Sequence, residues 1–158
     1  MSAPVVTPIT TPFTILVHGG AGASMQDLDG CQVAARVGLS VLQANGEGLD
    51  AVVQAVMALE NDGRFNAGSG SVVALDGMTI EMDAAVMDTR GRLGAVTCVR
   101  DVRNPVLLAR AVADTPHRLL AGEGAQRFAA VRGLAPALGV TAAMRQRRME
   151  HLQETMAS

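Results

Sequence analysis

The stretch from Leu59 to Asp88, LENDGRFNAGSGSVVALDGMTIEMDAAVMD, holds the residues whose types and spacing best suit chemistry. Asn61, Gly63, Asn66, Gly68 and Gly70 all tolerate positive φ or bond their own backbone, so the main chain can turn sharply several times within a short loop. Such a loop can aim several carbonyl oxygens at one point, which is how a hard cation is held without side chains. The plainer alternative is a surface connection between a helix and a strand.

Amide, ester or glycoside cleavage asks for more: a nucleophile, a base beside it, and donors for the developing oxyanion. His18, His117 and His151 lie far apart without metal-like spacing, and no Ser-His-Asp set stands out among the scattered candidates. Asp83 and Asp88 are five apart on an expected strand and would face opposite sides, which argues against a paired-carboxylate site. Ser2 would become a terminal nucleophile after loss of Met1, but it is followed by a Pro-rich arm and not by a buried strand. Cys31 and Cys98 form no Cys-x-x-Cys pattern and read as two buried, reduced thiols.

Composition excludes further classes. With 49% hydrophobic and 18% charged residues the 158-residue chain has the balance of one globular domain. A net charge of -2 and the absence of Tyr and Trp leave neither a steering field nor stacking platforms for nucleic acid. Every basic residue is Arg, so Schiff-base chemistry and a Walker-type lysine are excluded within this chain. The glycines after Val17-His18 invite a dinucleotide reading, but a G-x-G-x-x-G begun at Gly20 meets Met25 where the third glycine belongs. The start, MSAPVVTPITTPF, has no basic n-region, and no run reaches the ~18 apolar residues of a membrane span. A cytoplasmic protein with no membrane partner is expected.

The elements that must position the loop follow from periodicity. Phe13 to His18 (FTILVH) is apolar and strand-forming. Ser24 or Asp27 caps a helix to about Ala44, with Cys31, Ala34, Ala35, Val41 and Leu42 on its apolar face and Asn45-Gly46 as its stop. Leu49, Val52, Val53, Val56 and Met57 repeat at helical spacing and lead directly into the loop. Ser71–Leu75 and Thr79–Asp88 are strand candidates joined by an Asp76-Gly77 turn, and Leu93–Arg100 follows after Arg90-Gly91. Three successive strands with short connections imply an antiparallel sheet and an α+β fold. Asn104 and Pro105 supply an N-cap and N1 for a helix to about Asp114. His117–Ala121 is a short extended piece, and Gly122–Arg132 a further helix. Thr141–Ala157 reads as a polar helix with a thin Met/Leu stripe.

Three stretches taken together, Val17-His18-Gly19-Gly20-Ala21-Gly22, the Phe65–Ser71 and Glu81–Asp88 segments (FNAGSGS and EMDAAVMD), and Arg103-Asn104-Pro105 through Gly122-Glu123-Gly124-Ala125, resemble the α subunit of the plant-type L-asparaginase and isoaspartyl peptidase family. The resemblance runs from about Ile15 to Leu134 in the family's order. It implies an N-terminal-nucleophile hydrolase of αββα sandwich type, with this chain supplying the α-subunit half: residues 1–12 a lead-in, 13–135 the domain half, 136–158 a polar tail before a cleavage point. It implies hydrolysis of L-asparagine and β-aspartyl (isoaspartyl) dipeptides by a Thr whose own α-amino group is the base, in a separate β subunit from the same precursor, the pair forming an (αβ)2 heterotetramer. On this view no complete active site lies within these 158 residues. By the same resemblance a structural sodium ion is held by backbone carbonyls of Leu59, Glu60, Asp62, Phe65, Ala67 and Ser69, with Gly63 standing where a proline is common. Asn66 matches the Asn that reaches toward the nucleophile, and His18, Gly19 and Gly20 match the loop beside the scissile peptide. Glycosylasparaginase is a neighbouring branch with the same architecture, and a non-catalytic, truncated α-like protein that only binds a partner is the competing reading.

Overall fold

The structure, a computed structural model, describes residues 13–134 together with 146, 149, 150 and 153. A 3-10 turn at Met25–Asp27 leads into α1 (Leu28–Gln43), followed by α2 (Gly48–Asp62), a 3-10 turn at Gly68–Gly70, β1 (Met82–Met87), β2 (Leu93–Val99), α3 (Pro105–Val112), β3 (Leu119–Ala121) and α4 (Gly122–Val131). Gln146, Met149, Glu150 and Gln153 are helical; the remainder of the expected Thr141–Ala157 helix, and the lead-in, lie outside the described residues.

The helices form where spacing and capping agree. Ser24 accepts a bond from the Gln26 amide at 3.1 Å and opens the turn before α1. The connection after α1 puts Asn45 at φ 60. Helix α2 is buried on two sides, Ala51, Ala55 and Leu59 toward α1 and Leu49 and Val53 toward the sheet. The helices approach closely at Gly38, where a Cβ would stand 2.9 Å from the Ala51 carbonyl oxygen. The main core joins Leu49 and Val53 to Val86, Val96 and Val99 of the sheet, Val106, Leu108 and Val112 of α3, and Ala125 and Ala129 of α4. A second cluster, Ala34, Ala55, Leu59 and Phe65, lies between α1, α2 and the loop.

The sheet corrects three expectations. Its order is β1-β2-β3, with β1 antiparallel to β2 but β2 parallel to β3, so it is mixed and not antiparallel throughout. The reason is α3, a helical crossover that returns the chain in the same direction. Ser71–Leu75 forms no strand: the Asp76-Gly77 turn is present, with the Thr79 carbonyl accepting the Ala74 amide at 2.7 Å and Asp76 Oδ1 accepting from Met78 N and Thr79 N, but pairing stops there. Phe13–His18 likewise joins no sheet among the described residues. Its residues alternate, Ile15 and Val17 turned inward while Leu16 is 94% exposed, so one side packs on the helices and the other meets solvent.

A bulge sits between the Met82/Val99 and Ala84/Val96 pairs. There Asp83 faces two residues of β2, accepting from Thr97 Oγ1 at 2.5 Å and from the Cys98 amide at 2.9 Å. Cys98 takes φ 51 at this bulge and is exposed, and Cys31 is half-buried; both are free, so the expectation of two buried thiols is corrected. Helices α2, α3 and α4 cover one face of the sheet. On the opposite face Ala85 and Met87 of β1 and Leu119 and Ala121 of β3 are exposed, with Ala95 half-buried between them.

Candidate functional site

The loop that follows α2 is built by tight backbone packing. Gly63 closes α2 at φ 83, a conformation that proline's fixed φ forbids. Past it the chain folds back on the helix end: Ser69 Oγ donates to the Glu60 carbonyl at 2.7 Å, and a Cβ on Gly68 would stand 2.6 Å from that same oxygen. A Cβ on Gly70 would overlap the Phe65 carbonyl oxygen and stand 2.7 Å from that of Gly63. Carbonyls of Glu60, Gly63 and Phe65 therefore border space that only missing side chains leave open. Those of Glu60 and Phe65, and that of Ala67, each accept a bond within the loop, from Ser69 Oγ, the Ala67 amide and the Gly70 amide respectively. A second lone pair on each suits a hard cation such as sodium. Leu59 and Phe65 are buried, Asp62 and Ser69 exposed, and Asn66 is exposed with its Oδ1 accepting the Val72 amide at 3.0 Å. Among the described residues no three His, Cys, Asp or Glu side chains gather as a metal cluster.

Glu60 has a side-chain role that sequence reasoning missed. The residue is 2% exposed. Oε1 accepts the Val106 amide at 3.0 Å in the first turn of α3, and Oε2 accepts Asn104 Nδ2 at 2.9 Å. Asn104 is therefore no side-chain cap of its own helix, as expected from sequence; Glu60 supplies the cap from α2 and holds the Asn104 amide beside it. Burial outweighs both bonds and raises the Glu60 carboxyl to about 7. One signal was available: Glu60 continues the Leu49, Val53, Val56, Met57 stripe at i+11, which places it on the buried face.

The His18–Gly20 turn lies against this loop. His18 Nδ1 accepts the Gly20 amide at 3.0 Å, and His18 is exposed. Phe65 is wedged between the turn and α1: a Cβ on Gly19 would stand 3.0 Å from its ring, and one on Gly30 2.7 Å. Arg64 ties the loop to the first turn of α1 with two forks, Nε and Nη2 donating to Asp62 and Nη1 and Nη2 to Asp29. Arg64 holds both carboxyls below their ordinary values, the largest cause in each being the side-chain hydrogen bond. Asp83 and Asp88 belong to separate networks, Asp83 at the bulge and Asp88 with Arg90 and Arg92. His18 and His117 share no contact, and His151 lies outside the described residues.

The arrangement is that of a chain of mixed α and β structure whose candidate site is a carbonyl-rich loop at a helix end, braced on a glycine turn. The chain belongs to the asparaginase family, whose model matches residues 11–158. It is 41% identical over 162 residues to the isoaspartyl peptidase/L-asparaginase of Mus musculus, covering 98% of this chain and 49% of that protein. The isoaspartyl peptidase/L-asparaginase of Danio rerio is 46% identical over 127 residues, 76% of this chain and 41% of its own. The plant-type L-asparaginase of Pyrococcus abyssi is 41% identical over 152 residues, 90% and 48% respectively. The chain thus spans about half the length of these relatives. No helix among the described residues is long and apolar enough to cross a membrane.

Proposed function

We propose that this chain is the α half of a self-processed threonine amidohydrolase acting on L-asparagine and β-aspartyl dipeptides, its Thr nucleophile residing in a β chain. The observation that carries this reading is the likeness: 98% of the chain aligns at 41% identity with the mouse protein named isoaspartyl peptidase/L-asparaginase. The uncovered sheet face with Met87 at 73% exposure supports a second sheet packing there, as in an αββα sandwich, and so does the outward side of Phe13–His18. Two such pairs would make the (αβ)2 assembly.

In this reading the Thr hydroxyl adds to the substrate amide carbonyl while the Thr α-amine takes its proton and passes it to the departing nitrogen. Ammonia leaves from asparagine, or an amino acid from the dipeptide, and water then hydrolyses the ester. The chain's own part is support: Asn66 and the His18–Gly20 turn would border the nucleophile. Backbone carbonyls of Leu59, Glu60, Asp62, Phe65, Ala67 and Ser69 would hold a sodium ion, which supplies a fixed charge that keeps these oxygens together.

The test is to mix the chain with a separately made β chain beginning at Thr and to follow aspartate release from L-asparagine and from a β-aspartyl dipeptide. Hydrolysis that disappears when that Thr is replaced by Ala is the expected result. A well-folded complex without hydrolysis would overturn the catalytic reading and favour a protein that only binds its partner.

A further inference from the structure

Two consecutive residues of the loop, Phe65 and Arg64, reach other segments in different ways. The Phe65 ring, 4% exposed, fills a slot whose walls are Gly19 on the turn and Gly30 on α1, both too close to accept a Cβ without displacement. The adjacent Arg64 guanidinium spans Asp62 on its own loop and Asp29 on the first turn of α1, with Nη1 to Asp29 Oδ1 at 2.7 Å and Nε to Asp62 Oδ1 at 2.6 Å. A planar fork engaged on both sides fixes direction as well as distance, which a single ammonium contact would not. The apolar wedge thus joins the loop to both the turn and α1, and the polar clamp joins it to α1.

We propose that Phe65, directly against Gly19, and Arg64, by tying the loop to the α1 end on which the Phe65 ring is seated, are positioning residues that set the His18–Gly20 turn from the Leu59–Ser69 loop, so that turn and loop move as one body. The catalytic consequence rests on the function proposed above; the mechanical coupling does not. Any change in the loop, including the arrival of an ion, reaches the turn through the Phe65 ring, whose seat on α1 the Arg64 clamp holds. Displacement of a supporting turn by about 1 Å is enough to cost on the order of a hundredfold in rate.

The experiment combines amide hydrogen exchange on the chain with kinetics on the reconstituted pair, using Arg64→Gln, Arg64→Lys and Phe65→Leu. Arg64→Gln and Phe65→Leu are expected to raise exchange at Gly19–Ala23 about tenfold, the change that about 1.4 kcal/mol of local stability gives. Exchange in α3 and β2 should stay at the wild-type rate. In the pair, kcat should fall with KM nearly unchanged, and Arg64→Lys should recover part of the loss. Unchanged exchange at the turn in folded variants overturns the coupling. So does a uniform rise across α3 and β2, which would make Phe65 and Arg64 general stabilisers. A wild-type pair that hydrolyses nothing would sink the proposed function and leave the exchange result to decide the coupling alone.

Discussion

Replacing Glu60 by Gln offers the sharpest test of the packing derived for the loop. The carboxylate is almost wholly buried, and its two partners are the Val106 amide and Asn104 Nδ2. Gln keeps an oxygen for Val106, and a turn of the Asn104 amide lets the other end pair, so the exchange removes a charge with little loss of bonding. Its effect then depends on pH. The folded carboxyl is raised from 4.5 to about 7, a gap worth about 3 kcal/mol at about 1.36 kcal/mol per unit. Because the folded value is the higher one, the native protein binds the proton more tightly than the unfolded chain, and its stability is greatest below 4.5 and declines as pH rises through about 7. Gln does not titrate, and all other groups are common to both proteins. Glu60→Gln should therefore gain on the wild type by about 2 to 3 kcal/mol between pH 5 and pH 8. Urea unfolding of both proteins in choline chloride, free of sodium, reads this difference directly. A difference that stays constant, or moves in favour of the wild type as pH rises, would refute the argument that desolvation outweighs the hydrogen bonds. Glu60→Ala should differ in kind: it strands two buried donors, at about 1–3 kcal/mol each, at every pH.

Gly94→Ala would push a methyl into the Ala109 carbonyl and the Ala113 backbone, so α3 must lift from β2, and a loss of about 1–3 kcal/mol in urea unfolding is expected. Glu47 receives Arg90 Nη2 at 2.6 Å and Arg92 Nη2 at 2.7 Å, bonds that lower its carboxyl to about 2. Its contribution is present above its ordinary value of 4.5 and lost as pH falls toward about 2, so Glu47→Gln should flatten the acid side of a melting-temperature profile; an unchanged profile would count against the network. Met87→Glu, on the open sheet face, should leave urea unfolding of the chain within about 0.5 kcal/mol yet prevent restoration of activity on mixing with a β chain. Normal activity of that variant would remove the face from the interface.

The parts of this fold that were legible in the sequence are those decided within a few residues. Helices α1 and α2 announce themselves by apolar spacing, and the Asp76-Gly77 and Arg90-Gly91 turns by residues that accept the required backbone. What escaped reading was decided by partners distant in sequence. That β3 lies parallel to β2 depends on where α3 lands, which no local pattern specifies. Phe13–His18 has strand composition, but composition supplies no neighbouring ladder, and among the described residues it finds none. Asn104 has the type of an N-cap and the place of one, yet a carboxylate 44 positions earlier takes the Val106 amide and draws the Asn104 side chain to itself. The candidate site divides in the same way. Its glycines and asparagines could be recognised as a loop that turns sharply several times, because backbone freedom is a local property. The bracing of that loop by Glu60, Arg64 and Phe65 could not, because each acts on an element whose position the sequence leaves open. A loop that keeps several carbonyls close together gathers partial negative charge, and the cost of doing so has to be met by contacts outside the loop. Glu60 to α3, Arg64 to Asp29 and Phe65 to Gly19 and Gly30 are three such contacts in three directions, which is why substitutions at these positions should disturb the site while leaving its glycines and asparagines unaltered.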